Sequence, residues 1–101
     1  MRIEPMSQTL CVNVTVNHPQ GLHLRVGKDL VHVANQFTAQ IAAQNITRQS
    51  PVVDAKSILQ LMQLQARQGH IVQISAAGPD AQAALDAMCA LLETADATSA
   101  L

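Results

Sequence analysis

Aromatic residues are almost missing from this chain: there is no tryptophan, no tyrosine, and Phe37 is the single phenylalanine in 101 residues. A surface that stacks unpaired bases needs aromatic faces, so single-stranded nucleic-acid binding has no platform here. An excess of either charge is missing too. Six Lys or Arg stand against seven Asp or Glu, for a formal net charge of -1, and no basic face invites a phosphate backbone. No apolar run approaches the roughly 20 residues that a membrane-spanning helix requires. Only Arg2 precedes Ile3, and Glu4 and Pro5 follow at once; the expectation is a cytoplasmic protein without a signal peptide. Cysteines number two, Cys11 in a strand-like run and Cys89 in a helix-like one, and neither has a partner at metal-ligand spacing. Two free, buried thiols are expected, with no disulfide, no metal and no cofactor. The length suits one domain, residues 1–101, with an ordered core over about 9–94, a polar lead-in before it and a tail that frays after it.

What the chain does have is a hydrophobic period that switches along its length. Leu10, Val12, Val14 and Val16 alternate with Cys11, Asn13 and Thr15, which predicts a strand with one buried face. After a loop at His18-Pro19-Gln20-Gly21, apolar positions recur at spacings of three and four: Leu30, Ala34 and Phe37, with Gly27 or Val31 beside them. They predict a helix over about 24–36. Gly27 early in it costs about 1 kcal/mol against alanine, a sign of close packing or of a mobile first turn. A second strand is predicted over 39–46, a turn over 47–51 and a short third strand over 52–54. Ser57 and Gln60 have the spacing of a capping box, opening a second helix that carries Leu61, Met62 and Leu64 and ends near Gly69. A fourth strand covers 71–76. Gly78-Pro79-Asp80 stops it and caps a third helix over 81 to about 94. The order β-α-β-β-α-β-α, built from one-sided elements, predicts an α+β fold. A four-stranded, mostly antiparallel sheet has three helices on one face, with Leu30, Phe37, Leu61, Leu85 and Met88 in the shared core.

The segment Asn17-His18-Pro19-Gln20-Gly21-Leu22-His23-Leu24-Arg25 carries the chemistry. A lone histidine in a loop is commonly a plain surface residue. His23, however, stands where the amides of a starting helix point outward unpaired, with roughly half a positive charge from the macrodipole. Gly21 lets backbone approach closely and Arg25 is within reach, so these residues make a small anion site. Histidine keeps an uncharged, nucleophilic ring nitrogen at neutral pH and can accept a phosphoryl group there. His18 either flanks this site or is a solvated turn residue; His32 belongs to a polar helix face, and His70 opens a strand. Ser57 needs no role beyond capping, worth about 0.5–2 kcal/mol, although a phosphate at a helix start beside Lys56 would be tolerated by the dipole. No glycine-rich nucleotide loop occurs, and no carboxylate adjoins His23 to suggest a hydrolytic triad.

At these residues the chain resembles the HPr family, the histidine-containing phosphocarriers of the bacterial phosphoenolpyruvate-dependent sugar phosphotransferase system. The resemblance covers about residues 10–93 in four islands: Pro19-Gln20-Gly21-Leu22-His23-x-Arg25; Ala34-Asn35-Gln36-Phe37; Ala55-Lys56-Ser57-Ile58-x-x-Leu61; and Gln68-Gly69 with Ile74-Ser75-Ala76-x-Gly78-x-Asp80-x-Gln82-x-Ala84. It implies an open-faced β-sandwich and a phosphoryl group carried on Nδ1 of His23, taken from Enzyme I and passed to sugar- or nitrogen-branch IIA domains. Arg25 would stabilise the phosphate. Ser57 would be the serine modified by an ATP-dependent HPr kinase/phosphorylase. The protein would be a monomer and a protein substrate, with no small-molecule turnover of its own. Leu24, Gly27, Lys28 and Val31 with Ile58, Gln60, Leu61 and Gln63 are candidates for its docking patch, and Leu61 and Val31 are the ones most suited to the core.

The chain departs from the family pattern around the site. Leu24 replaces a small residue, Val26 a proline, Gly27 an alanine, and Gln60 a residue that is often small; about three residues are added between Phe37 and Ser57. These departures motivate an alternative: a regulatory interaction module on the same scaffold, modulated at Ser57, in which bulk at Leu24 and Val26 prevents transfer. A structural adaptor without any modification is a third reading. Transfer rates to a IIA domain separate the three.

Overall fold

A computed structural model describes residues 9–99 of the chain. The alternating run becomes β1 (Leu10–Thr15), followed by α1 (Leu24–Ala34), β2 (Gln40–Asn45), β3 (Val53–Asp54), α2 (Ile58–Met62), β4 (Ile71–Ala77) and α3 (Ala81–Ser99). The strands form one sheet in the order β1-β4-β2-β3, and each pairing is antiparallel. The last strand therefore sits between the first two, so the first and last strands of the chain pair directly. α3 crosses β1, β4 and β2 and packs on α1, whereas α2 packs on α1 and β3.

The period-two face that the sequence marks as apolar is the one the helices cover. Val14, Ile41, Ala43, Val53, Val72, Ile74 and Ala76 from the sheet meet Leu30, Ala34, Leu61, Ala84, Leu85, Met88 and Leu92 from the helices, all buried. Each large aliphatic side chain taken out of water there contributes about 1.5–3 kcal/mol. The opposite face stays open and is polar or small: Asn13 pairs with Gln73 and Gln73 with Gln44 across β1, β4 and β2. A concavity on this open side runs past Gln40, Ala42, Asp54 and Ser75 and shares no residue with the His23 loop.

Several expected boundaries and contacts shift. α1 stops at Ala34, and Phe37 in the following turn is half-buried against the core. Lys56 Nζ donates to the Phe37 carbonyl (2.7 Å), and Asn35 Nδ2 bonds back to the Val31 carbonyl (2.9 Å). The second helix ends at Met62, well before Gly69: Leu64 turns into the core and Gln65 adopts a left-handed φ of 48°, which a helix cannot continue. The third helix runs past residue 94 to Ser99; the lead-in at 1–8 and the last two residues lie outside the described residues. Both cysteines are free, but Cys11 is exposed, because in strand alternation it falls on the open face. Cys89 is half-buried; burial pushes its thiol pKa up, and Glu93 and Asp86 add to the rise.

Asp80 stands at the start of α3 as expected, its carbonyl accepting the Ala84 amide (3.0 Å), but its side chain is used elsewhere. Its carboxylate accepts the Thr38 and Ala39 amides (2.9 and 2.8 Å) and the Thr38 hydroxyl (3.2 Å), so it clamps the entry to β2. The Thr38 amide is the main reason its carboxyl is held below the usual range, against an opposing effect of desolvation.

Candidate functional site

The 16–23 segment between β1 and α1 is laced to the 66–70 segment that follows α2. Val16 N–H donates to the His70 carbonyl (2.9 Å), Gly69 N–H to the Val16 carbonyl (2.8 Å) and Leu22 N–H to the Ala66 carbonyl (2.8 Å). Gln68 Nε2 adds a bond to the Asn17 carbonyl (3.2 Å). At the turn, Gly21 has φ +70° and donates to the His18 carbonyl (2.8 Å). A Cβ on Gly21 would overlap the Ala66 carbonyl oxygen and sit 2.8 Å from Arg67 Cα, so only glycine permits this approach. Leu22 is buried and anchors the loop, and the next residue is His23.

His23 is the N-cap of α1 in extended conformation, and no side chain caps the helix. The first bond of the ladder runs from Gly27 N–H to the His23 carbonyl (2.9 Å). The amides of Leu24, Arg25 and Val26 precede it, and no acceptor among the described residues takes them. The His23 ring is half-buried, with Nε2 enclosed and without a hydrogen-bond partner among the described residues. Arg25 is exposed and likewise unpaired among them. Free amides at the positive end of a helix dipole, flanked by residues that carry an imidazole and a guanidinium, have the chemistry to stabilise an anion.

His18 lies beside this group. It is half-buried, its ring centroid stands 4.7 Å from that of His23 with a 60° tilt, and its Nδ1 accepts the Gln20 amide (3.0 Å). Of the two places the sequence leaves open for His18, it occupies the flanking one.

At the start of α2 the capping box is half made. Ser57 Oγ accepts the Gln60 amide (3.3 Å), but Gln60 Oε1 accepts from Asp54 N–H (2.9 Å) instead of from Ser57. Asp54 ends the edge strand, with Ala55 N–H bonded inward to Ile41, so the Asp54 amide faces away from β2 and the glutamine satisfies it.

The docking candidates divide. Leu24 is 58% exposed, and Lys28, Gln60 and Gln63 are exposed. Ile58 and Val31 are half-buried. Gly27 and Leu61 are buried and leave the candidate surface: Leu61 is 1% exposed in the core, and Gly27 lies under Met62 Cε and Ile58 Cδ1, the latter 2.9 Å from where a Cβ would be. Close packing, not a loose turn, explains that glycine. Leu59, 74% exposed, escaped the sequence reading, although it stands beside Ile58 in an otherwise amphipathic turn.

Asn45 was also missed. It is wholly buried; its Nδ2 contacts the Leu64 carbonyl (3.1 Å) and His70 Nδ1 (3.0 Å), and its Oδ1 accepts Arg48 N–H (3.2 Å). The same His70 nitrogen accepts Arg67 N–H (3.1 Å), so this network braces the segment on which the His23 loop rests. A polar residue in the inward register of Ile41 and Ala43 was the available signal.

Comparison with known proteins agrees with this geometry. Residues 11–94 match the family model for the PTS HPr component phosphorylation site. The chain is 39% identical over 80 residues to the phosphocarrier protein HPr of Cupriavidus necator, covering 79% of this chain and 86% of that protein. It is 39% identical over 74 residues to the multiphosphoryl transfer protein of Haemophilus influenzae, covering 73% of this chain but only 15% of that longer protein. The crystal structure of phosphocarrier protein HPr from Bacillus anthracis superposes with a TM-score of 0.76 at 32% identity, covering 83% of this chain and 96% of that one.

Proposed function

We propose that His23 is the phosphoryl-carrying residue of this chain, which belongs to the PTS HPr family of phosphocarrier proteins. The observation that carries the assignment is the helix start left open at His23: unpaired amides, an unpaired Arg25, and one ring nitrogen enclosed. Enclosure of Nε2 leaves Nδ1 as the nitrogen a donor reaches. Its lone pair attacks phosphorus as the bond to the donor's nitrogen breaks, and the passage onward to an acceptor histidine reverses the step. Charge spreads over the equatorial oxygens during transfer, so placement of donors matters more than an acid or base. The α1 amides and Arg25 supply those donors, and the lacing to 66–70 supplies the placement.

In this reading Enzyme I is the donor and IIA domains are the acceptors, the protein works as a cytoplasmic monomer, and it turns over no small molecule itself. Among the described residues no helix is long and apolar enough to cross a membrane. The exposed Leu24 and Leu59, with Lys28 and the half-buried Ile58, offer the docking face. Leu24 projects into solvent, and no observation favours the regulatory reading in which it blocks transfer. Ser57 is a secondary, regulatory site: a dianion there would confront any partner on the α2 face, and Lys56, engaged with Phe37, is not free to neutralise it.

Incubation with phosphoenolpyruvate and Enzyme I yields a singly phosphorylated protein, labile in acid and stable in base. His23→Ala abolishes it; persistence of the product in that variant would refute the assignment. Mass spectrometry after incubation with ATP and an HPr kinase/phosphorylase decides Ser57: an acid-stable phosphate maps there, and its absence leaves a helix cap only.

A further inference from the structure

We infer that His18 is a positioning residue of the same site, donating from its Nε2–H to a phosphoryl oxygen carried on His23; this rests on the assignment of His23 as the carrier. Two observations support it. The ring is fixed at close range, 4.7 Å between centroids and tilted by 60°. Its tautomer is fixed as well: Gln20 N–H donates to Nδ1 (3.0 Å), so in the neutral ring the proton resides on Nε2. The backbone of His18 is held by the same turn through the Gly21 amide. A side chain pinned at Nδ1 has one ring donor left, and no acceptor among the described residues takes it.

A phosphoryl group bonded to His23 Nδ1 extends three oxygens beyond that ring, and an imidazole whose centroid stands 4.7 Å away is near enough to meet one of them. The amides of Leu24, Arg25 and Val26 approach from the helix and Arg25 from solvent; His18 supplies a donor from the loop. A hydrogen bond to an ionised acceptor is stronger than a neutral one. The unloaded protein leaves this donor without a protein partner, so its effect falls on the phosphorylated state.

His18 also builds the turn, and the test must separate the two roles. His18→Asn retains an acceptor for the Gln20 amide, since asparagine bonds to the backbone two residues on, while its own amide N–H lies closer to the backbone than the ring's Nε2 and does not reach as far as that donor. His18→Ala removes both. Each variant is mixed in equal amount with wild-type protein, a catalytic quantity of Enzyme I and a limiting amount of phosphoenolpyruvate. The phosphoryl partition at equilibrium, read by mass spectrometry, does not depend on how fast Enzyme I recognises either protein. The expected partition favours wild type over both variants by about tenfold, with the melting temperature of His18→Asn unchanged. Equal partition between wild type and His18→Asn would overturn the inference, because the histidine would then serve the turn alone. A measurement without substitution stands beside it: on phosphorylation of the wild type, the His18 Nε2 resonance shifts more than Nδ1, and unmoved signals also overturn it. Failure of wild-type protein to accept any phosphoryl group is a different result and sinks the carrier assignment itself.

Discussion

The two shorter helices, α1 and α2, begin in opposite ways. At α2 the serine before the helix closes it, with Ser57 Oγ on the Gln60 amide and the Gln60 side chain spent on the edge of β3. At α1 the residue before the helix is His23, which caps nothing and leaves the first amides unpaired. A helix start closed by its own side chain gains stability and has little left for a ligand. One left open forgoes a cap worth about 0.5–2 kcal/mol and keeps an anion site. That cost is tolerated because the loop before α1 is tied elsewhere, to the 66–70 segment and through buried Leu22.

The largest effect expected, apart from loss of His23, comes from Gly21→Ala. At φ +70° a Cβ costs about 1–2 kcal/mol by itself, and its overlap is with backbone, which cannot rotate away. Destabilisation of at least about 2 kcal/mol in denaturant unfolding is expected, with loss of phosphoryl acceptance in the protein that still folds. A stable, fully active variant would show that the lacing does not place the site. Arg25→Ala comes next. Its guanidinium is exposed and makes no hydrogen bond or ion pair among the described residues, so stability stays the same while the phosphoryl partition against wild type falls about tenfold. Equal loss of folding stability would reassign it to structure. Ser57→Ala should do the reverse: about 1 kcal/mol of stability lost and an unchanged partition at His23. These two substitutions, measured together, test whether an open helix start and a closed one divide function from stability.

The pattern of elements was legible because period two and period 3.6 alternate cleanly, and Leu30, Leu61, Leu85 and Met88 fall where those periods place them. Ends were less legible where tertiary contact overrides local preference. Leu64 follows Leu61 at helical spacing, yet Gln65 turns left-handed so that Ala66 can present its carbonyl to Leu22. His23, Arg25 and Gly21 stand together in sequence and remain together in space. His18 needed the structure, because nothing in its spacing says that Gln20 pins its ring against His23. Asp80 and Gln60 looked like local helix-capping residues and instead satisfy Thr38, Ala39 and Asp54 on neighbouring elements, long-range partners that no local motif announces.

The smallest expected effect concerns Gly27, where the helices meet. Replacing it with alanine returns about 1 kcal/mol of helix propensity. The added methyl meets Met62 Cε and Ile58 Cδ1, the far ends of two flexible side chains, and no backbone outside its own helix. Methionine in particular can swing aside at small cost. The two contributions oppose each other and are of similar size, so Gly27→Ala should leave the unfolding midpoint nearly unchanged, within about 1 kcal/mol. Gly27→Val is the sharper companion. A β-branched side chain is confined at χ1 within a helix and drives a second methyl into the same contact, for a loss of about 1–3 kcal/mol. If valine is accepted as readily as alanine, α1 and α2 do not lie as close as the structure has them. The docking face proposed across Leu24 and Leu59 would then have to be redrawn, even with the open helix start at His23 intact.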